Sequence, residues 1–219
     1  MTNKKEKIPI SEIVWLFVIG CLVGFALETV WHFLKNGEWI NKQGLLYGPF
    51  KPIYGFGLIF VLLIMNNYRH KKFWQKFIIG VLLGSAFEYF GSLFQEVVFG
   101  TSTWNYSHFN LNIGGRIYLP YCLAWGIIAV FCVDVLYPLF KKLIQKININ
   151  LYKVVTTIVA IFMIINISLT ALASIRYSDR ANKEEANSAV FKVIDQLYPD
   201  EYMQLKFPKM KVIKKDKTS

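Results

Sequence analysis

The chain has 219 residues, 54% of them hydrophobic and only 18% charged, with a formal net charge of +11. Those values exclude an ordinary soluble or disordered chain and place it in the membrane class. The basic surplus does not indicate nucleic acid, because it lies in short blocks between apolar runs with no recognition module around it.

The blocks are Lys4, Lys5 and Lys7, then Arg69, Lys71, Lys72 and Lys76, then Lys141, Lys142 and Lys146. Blocks of this kind flank membrane spans on the cytoplasmic side, where they face anionic lipid. The apolar runs between them are long enough, or nearly so, to cross about 30 Å of hydrocarbon at about 1.5 Å per residue.

The first span is predicted over 11–34. It follows Lys4–Lys7 directly, lacks a small-residue cleavage site and runs on into Glu28, so it reads as an uncleaved helix. Residues 44–54 are rich in Gly and Pro. Pro49 and Pro52 break helix there, so the second span, 53–66, is expected to be short and to begin inside the protein. The third span is predicted over 77–99. The connector 100–115 is aromatic and turn-rich, an ordered interfacial loop with Trp104 and Tyr106 at headgroup level. The fourth span is predicted over 117–140 and the fifth within 151–175.

From Arg176 the composition becomes that of a soluble tail, 176–219. Asn182 and Glu185 fit a capping box. Ala189, Val190, Val193, Ile194 and Leu197 share one face, which predicts an amphipathic helix over 182–197. The end, KMKVIKKDKTS, is predicted to be disordered. With the N-terminus inside, the three basic blocks fall inside and the outer loops carry Lys35, Lys42, Lys51 and Arg116. Five spans then put the tail outside.

The membrane part, 1–150, nearly repeats itself. IGCLVGFALE (19–28) matches IGVLLGSAFE (79–88), and GLLYGPFKPIYG (44–55) matches GRIYLPYCLAWG (115–126). The units are 11–66 and 77–140, and the fifth span has no counterpart. The predicted fold is an all-α integral membrane protein with about five transmembrane helices. Spans one and two pair with spans three and four as a parallel internal repeat, and an amphipathic helix follows.

Gly20, Gly24 and Glu28 are spaced by four, as are Gly80, Gly84 and Glu88. Such residues share a helix face. The glycines read as close helix–helix contacts. The carboxylates do not, since a charge at the bilayer centre costs about 2.5–3.5 kcal/mol on insertion scales. His32 lies one turn beyond Glu28, and Ser92 and Glu96 lie beyond Glu88. Arg116 keeps its charge and calls for a carboxylate or phosphate; Glu28, Glu88 and Glu96 are its candidate partners. The candidate substrate or ion site is therefore Glu28, Glu88, Glu96, Arg116 and His32. Its predicted loop lid is Tyr47, Pro49, Tyr54, Trp104, Asn105 and Tyr106. Asp134 is expected to snorkel towards the basic block at 141–146 or to pair with it.

The chain shows no GxxxxGK[ST], so it is not itself an ATPase, and it has no HExxH or GxSxG. Its three cysteines, Cys21, Cys122 and Cys132, have no metal spacing and read as packing residues. No metal or cofactor is expected.

GFALE (24–28), GLLYGPFKPIYGFG (44–57), GSAFEYFGSLFQE (84–96), WNYS (104–107) and GGRIYL (114–119) resemble the CmpB-like "putative ABC-transporter type IV" family of bacterial membrane proteins. The resemblance covers about 15–130. Two positions depart from the family pattern, which usually has Arg where this chain has Gln43 and Cys where it has Lys51. The resemblance implies a multi-pass protein of the bacterial inner membrane, nominally a permease, with the bilayer and a separate ATPase or other membrane subunit as partners.

Three functions compete on these residues. The first is a transporter component with a polar intramembrane site around the paired glutamates. The second is a membrane-embedded enzyme acting on a lipid or polyprenyl phosphate held by Arg116. The third is a structural or regulatory subunit that docks a partner through the tail helix.

Overall fold

The computed structural model describes residues 8–145 and 149–213. The Lys4–Lys7 block, Lys146 and the last part of the basic end lie outside them. The chain is mostly helical. Four helices are long and apolar enough to cross a membrane: α1 (Ile10–Asn36), α3 (Phe73–Phe99), the continuous run Leu119–Ile144, and α6 (Ile149–Ala181). Their outward faces are apolar, as lipid contact requires: Leu22, Leu27, Trp31 and Leu34 on α1 and Phe90, Phe94 and Val97 on α3 are exposed.

The predicted second span is α2 (Pro52–Met65), only 14 residues long. At about 1.5 Å per residue it falls short of a bilayer. Pro52 opens it, as helix N-termini allow. It runs antiparallel to the first half of α1, with Leu62 and Met65 buried against Leu16. The preceding segment, 44–51, has no helical bonding and lies against α1 and α6. Its backbone groups find partners all the same. Leu46 N–H donates to Thr170 Oγ1 (3.0 Å), and Tyr47 N–H donates to Asn166 Oδ1 (3.2 Å). Asn166 Nδ2 donates to the Tyr47 carbonyl (2.7 Å), and Lys51 N–H to the Cys21 carbonyl (3.1 Å). Two polar side chains of α6 thus do for this segment what water does in a surface loop.

The fourth long run is α4 (Leu119–Phe131), a π turn (Cys132–Leu136) and α5 (Tyr137–Ile144). Pro138 accounts for the π turn. It has no N–H for the Asp134 carbonyl, and its ring would crowd that carbonyl in an α-helix. The helix widens instead, and Tyr137 N–H bonds back to the Cys132 carbonyl. Between α3 and α4 lie three two-residue strands, β1 (Thr101–Ser102), β2 (Asn112–Ile113) and β3 (Ile117–Tyr118), with β2 and β3 forming a tight antiparallel hairpin.

The tail departs from its sequence reading. Helix α6 does not stop near residue 175 but continues to Ala181, because Arg176 and Arg180 find carboxylate partners in the tail. Asn182 therefore ends α6 rather than capping a new helix, its N–H donating to the Ser178 and Asp179 carbonyls. The amphipathic helix is α7 (Ala189–Leu197), shorter than 182–197, with Ser188 as its cap. It is followed by α8 (Asp200–Lys206) and β4 (Lys211–Val212). Strand β4 pairs antiparallel with β1, so residues 211–212 of the basic end are ordered against the α3–β1 corner.

Candidate functional site

Glu28 and Glu88 occupy matching places in two antiparallel helix pairs, α1 with α2 and α3 with α4. In the first pair, a Cβ on Gly20 would stand 2.9 Å from Gly55 Cα, and one on Gly24 would run into the Tyr54 ring. In the second, a Cβ on Gly80 would stand 3.2 Å from Gly126 Cα, and one on Gly84 would run into the Trp125 side chain. The glycines bring the backbones close enough for the next residue on each face, a glutamate, to reach the aromatic opposite. Tyr54 OH donates to Glu28 Oε1 (2.9 Å), and Trp125 Nε1 donates to Glu88 Oε2 (2.9 Å).

The second donor to each glutamate differs. Glu28 pairs with Lys51 Nζ, with side chains 30% and 19% exposed respectively. Glu88 instead accepts from Tyr106 OH (2.9 Å) and is only 8% exposed. Burial, and next the charge of Glu88, raise the Tyr106 phenol well above its ordinary range, so it remains a donor at any physiological pH. One glutamate thus carries its own counter-cation, whereas the other is held by two neutral donors.

The two halves meet at their aromatics: the Tyr54 and Trp125 rings have centroids 5.9 Å apart. Lys51, Glu28, Tyr54, Trp125, Glu88 and Tyr106 therefore form one continuous cluster. Arg116 and Glu96 form an ion pair beside it. Arg116 also donates to Ser92 Oγ (3.1 Å) and lies 6.0 Å from the Tyr89 ring. Of its three candidate partners, Glu96 is the one it takes.

The remaining predicted residues divide. Tyr54 and Tyr106 bond the glutamates directly. Trp104 Nε1 donates to the Arg116 carbonyl (3.2 Å), which fixes the loop rather than the site. Asn105 Oδ1 accepts from Ser107 N–H (2.7 Å) and shapes the same loop. Tyr47 is half exposed and its OH meets Tyr198 OH (2.9 Å), while Pro49 is exposed. His32 is half-buried and bonds with Asn36 one turn on (2.9 Å). Its hydrogen bonds among the described residues are to Asn36 and not to either glutamate.

Lys51 and Trp125, absent from the predicted set, are direct partners of the two glutamates. A third ion pair lies at the opposite end of the bundle, where the exposed Asp134 meets the buried Lys76 of α3 and not the block at 141–146. The π turn that places Asp134 is the reason. Tyr137, which follows that turn at the start of α5, donates to Glu12 Oε2 (3.2 Å). Among the described residues no group of three or more His, Cys, Asp or Glu side chains gathers as a metal site would require.

Residues 15–171 match the family described as "Putative ABC-transporter type IV", the CmpB-like family. The chain belongs to this family. With four membrane-length helices, it is a multi-pass membrane protein related to ABC-transporter components. No curated protein and no solved structure matches it. The family match covers every residue of the glutamate cluster and ends within α6, before Arg176 and the tail.

Proposed function

We propose that the chain is a permease-like transporter component whose intramembrane site is the cluster around Glu28 and Glu88. The carrying observation is the recurrence of one arrangement in both helix pairs: glycine faces glycine, glycine faces aromatic, and that aromatic donates to a glutamate. Packing alone explains the glycines and leaves two carboxylates in apolar helices unexplained. The matched contacts support a parallel internal repeat, with the segment 44–51 and α2 together making the second of five crossings. Sites at repeat interfaces built on broken helices are a recurring transporter design.

The charge pattern favours an inner-membrane protein with a cytoplasmic N-terminus and Glu28, Glu88 and the tail towards the outside. The chain lacks a P-loop, so an ATP-driven cycle requires a separate ATPase subunit. The lipid-phosphate reading loses its main support, because Arg116 is already taken by Glu96 and Ser92.

The test starts with a thermal-shift screen of the purified chain in nanodiscs against charged solutes, followed by uptake of the hits into proteoliposomes. A solute that stabilises and is taken up by the wild type, but not by Glu28→Gln or Glu88→Gln, is the expected result. Folded Glu28→Gln and Glu88→Gln variants that transport it as well as wild type sink the reading.

A further inference from the structure

The two loops that bond the glutamates are both tied to the tail. In the first, Leu46 is 1% exposed and packs into a cluster with Ile194, Tyr198, Met203 and Phe207 of the tail. Tyr47 OH meets Tyr198 OH at 2.9 Å. Four residues after Tyr47 comes Lys51, the partner of Glu28. In the second, Thr101 pairs with Val212 and Ser102 with Lys211. Ile213 N–H also donates to the Gly100 carbonyl at 2.8 Å. Four residues after Ser102 comes Tyr106, the partner of Glu88.

The tail is itself anchored to α6 by charge. Arg176, 2% exposed, donates to both oxygens of Asp195 (3.0 and 2.8 Å) and to Asp179 (3.1 Å). Arg180 pairs with the same Asp195, with Asp200 (2.7 Å) and with the Tyr198 carbonyl (3.0 Å). Asp195 thus holds two arginines, and Tyr198 next to it holds the first loop. By contrast, the apolar grip of α7 is slight: Ile194 is buried, whereas Val190, Val193 and Leu197 are more than half exposed. The rest of the tail's apolar contact is the cluster of Ile194, Tyr198, Met203 and Phe207 on Leu46 and Ala173, so the segment is held by these charged bonds and one apolar cluster and is a local opening unit distinct from the helices beneath it.

We propose that the tail, residues 182–213, is a strap that controls access to the glutamate cluster by holding down both loops that bond it. The inference rests on the permease reading above for the meaning of that access, but its mechanics do not. Docked, the strap keeps Lys51 on Glu28 and Tyr106 on Glu88. Released, it removes the tail's contacts from both loops together, each four residues from its glutamate partner, and leaves the first loop on Thr170 and Asn166 of α6 and the second on Gly115. The regulating element lies beyond the family match, which ends at residue 171, whereas both loops it holds lie within the match.

Hydrogen–deuterium exchange on the full chain in nanodiscs tests this without any substrate. In Asp195→Ala, peptides spanning 44–51 and 100–106 are expected to exchange about tenfold faster or more, while α3 around Gly84 stays protected. Faster exchange in the tail with both loops at wild-type rates overturns the proposal. Should Asp195→Ala fail to fold, Tyr198→Phe removes a single hydrogen bond and must still speed exchange at 44–51; unchanged exchange there overturns the proposal equally. A Thr101→Cys/Val212→Cys pair, oxidised across β1–β4, is expected to slow exchange at 100–106, and no slowing counts against the strap. Released loops without any transport sink the permease reading and leave the strap standing. Transport without released loops does the reverse.

Discussion

Tyr54 and Trp125 stand with ring centroids 5.9 Å apart, and each donates its single polar hydrogen to a different glutamate. The indole N–H is a donor only, so no hydrogen-bonded relay runs through this pair. What links Glu28 to Glu88 is packing: a shift of either helix pair moves an aromatic against its counterpart and changes the geometry at both carboxylates. The aromatics hold their places because glycines leave room for them.

One of those places is Gly84, where an added Cβ would run into Trp125. Gly84→Ala is expected to push α4 away from α3, weaken the Trp125–Glu88 bond and cost about 1–3 kcal/mol, as overpacking does. Gly57→Ala is the comparison, since its Cβ would meet only the edge of Phe87 at 3.2 Å and that ring can give. Unfolding of both variants in the same detergent checks this. Equal losses would show that the α3–α4 approach is not especially close.

Lys51 and Glu28 are a partly buried ion pair, and removing one partner leaves a charge in poor surroundings. Lys51→Met is therefore expected to destabilise more than the double variant Lys51→Met/Glu28→Gln, which removes both charges. The cycle should give a coupling of about 0.5–3 kcal/mol, the range for residues in contact. Additive losses across the four proteins would mean that Lys51 does not neutralise Glu28. The residue aligned with Lys51 in the second half is Cys122, which supplies no charge to Glu88. This difference makes the two carboxylates chemically distinct in spite of their matching positions.

Much of this arrangement is legible in the chain, and the parts that are not share a cause. A spacing of four shows that Gly80, Gly84 and Glu88 lie on one face, and the duplication shows that Gly20, Gly24 and Glu28 repeat it. Trp125 precedes Gly126 as Tyr54 precedes Gly55, so the partner of Glu88 is implied by the repeat once Tyr54 is known to bond Glu28. The register that brings Tyr54 to Glu28 is not implied, because periodicity fixes a face and not what stands opposite. Asp134 shows the same limit. Sequence proximity joins it to Lys141, whereas the π turn forced by Pro138 turns it towards Lys76, on a different helix. In the tail, the polar run from Arg176 reads as the end of a membrane helix. It is instead a charged turn buried under α7, and the acids that make burial tolerable, Asp195 and Asp200, come later in the chain.

Asp195 makes tail docking sensitive to acid. Its hydrogen bonds from Arg176, and then from Arg180, hold its carboxyl below the usual aspartate range. Once the tail is undocked, the group returns towards an ordinary value of about 3.9. The docked form binds its proton less readily, so docking gains stability from the ionised carboxylate. That gain is fully present above about pH 4 and is lost as the pH falls through the depressed value of the docked state. Docking should therefore be flat across neutral pH and weaken only in acid, and protease sensitivity of the 182–188 linker should rise over the same window. Asp195→Asn cannot ionise and is expected to show linker cleavage that is already raised at pH 7 and no longer tracks this step. A wild-type linker equally protected at pH 7 and pH 3 would show that the Arg176–Asp195 contact does not hold the tail.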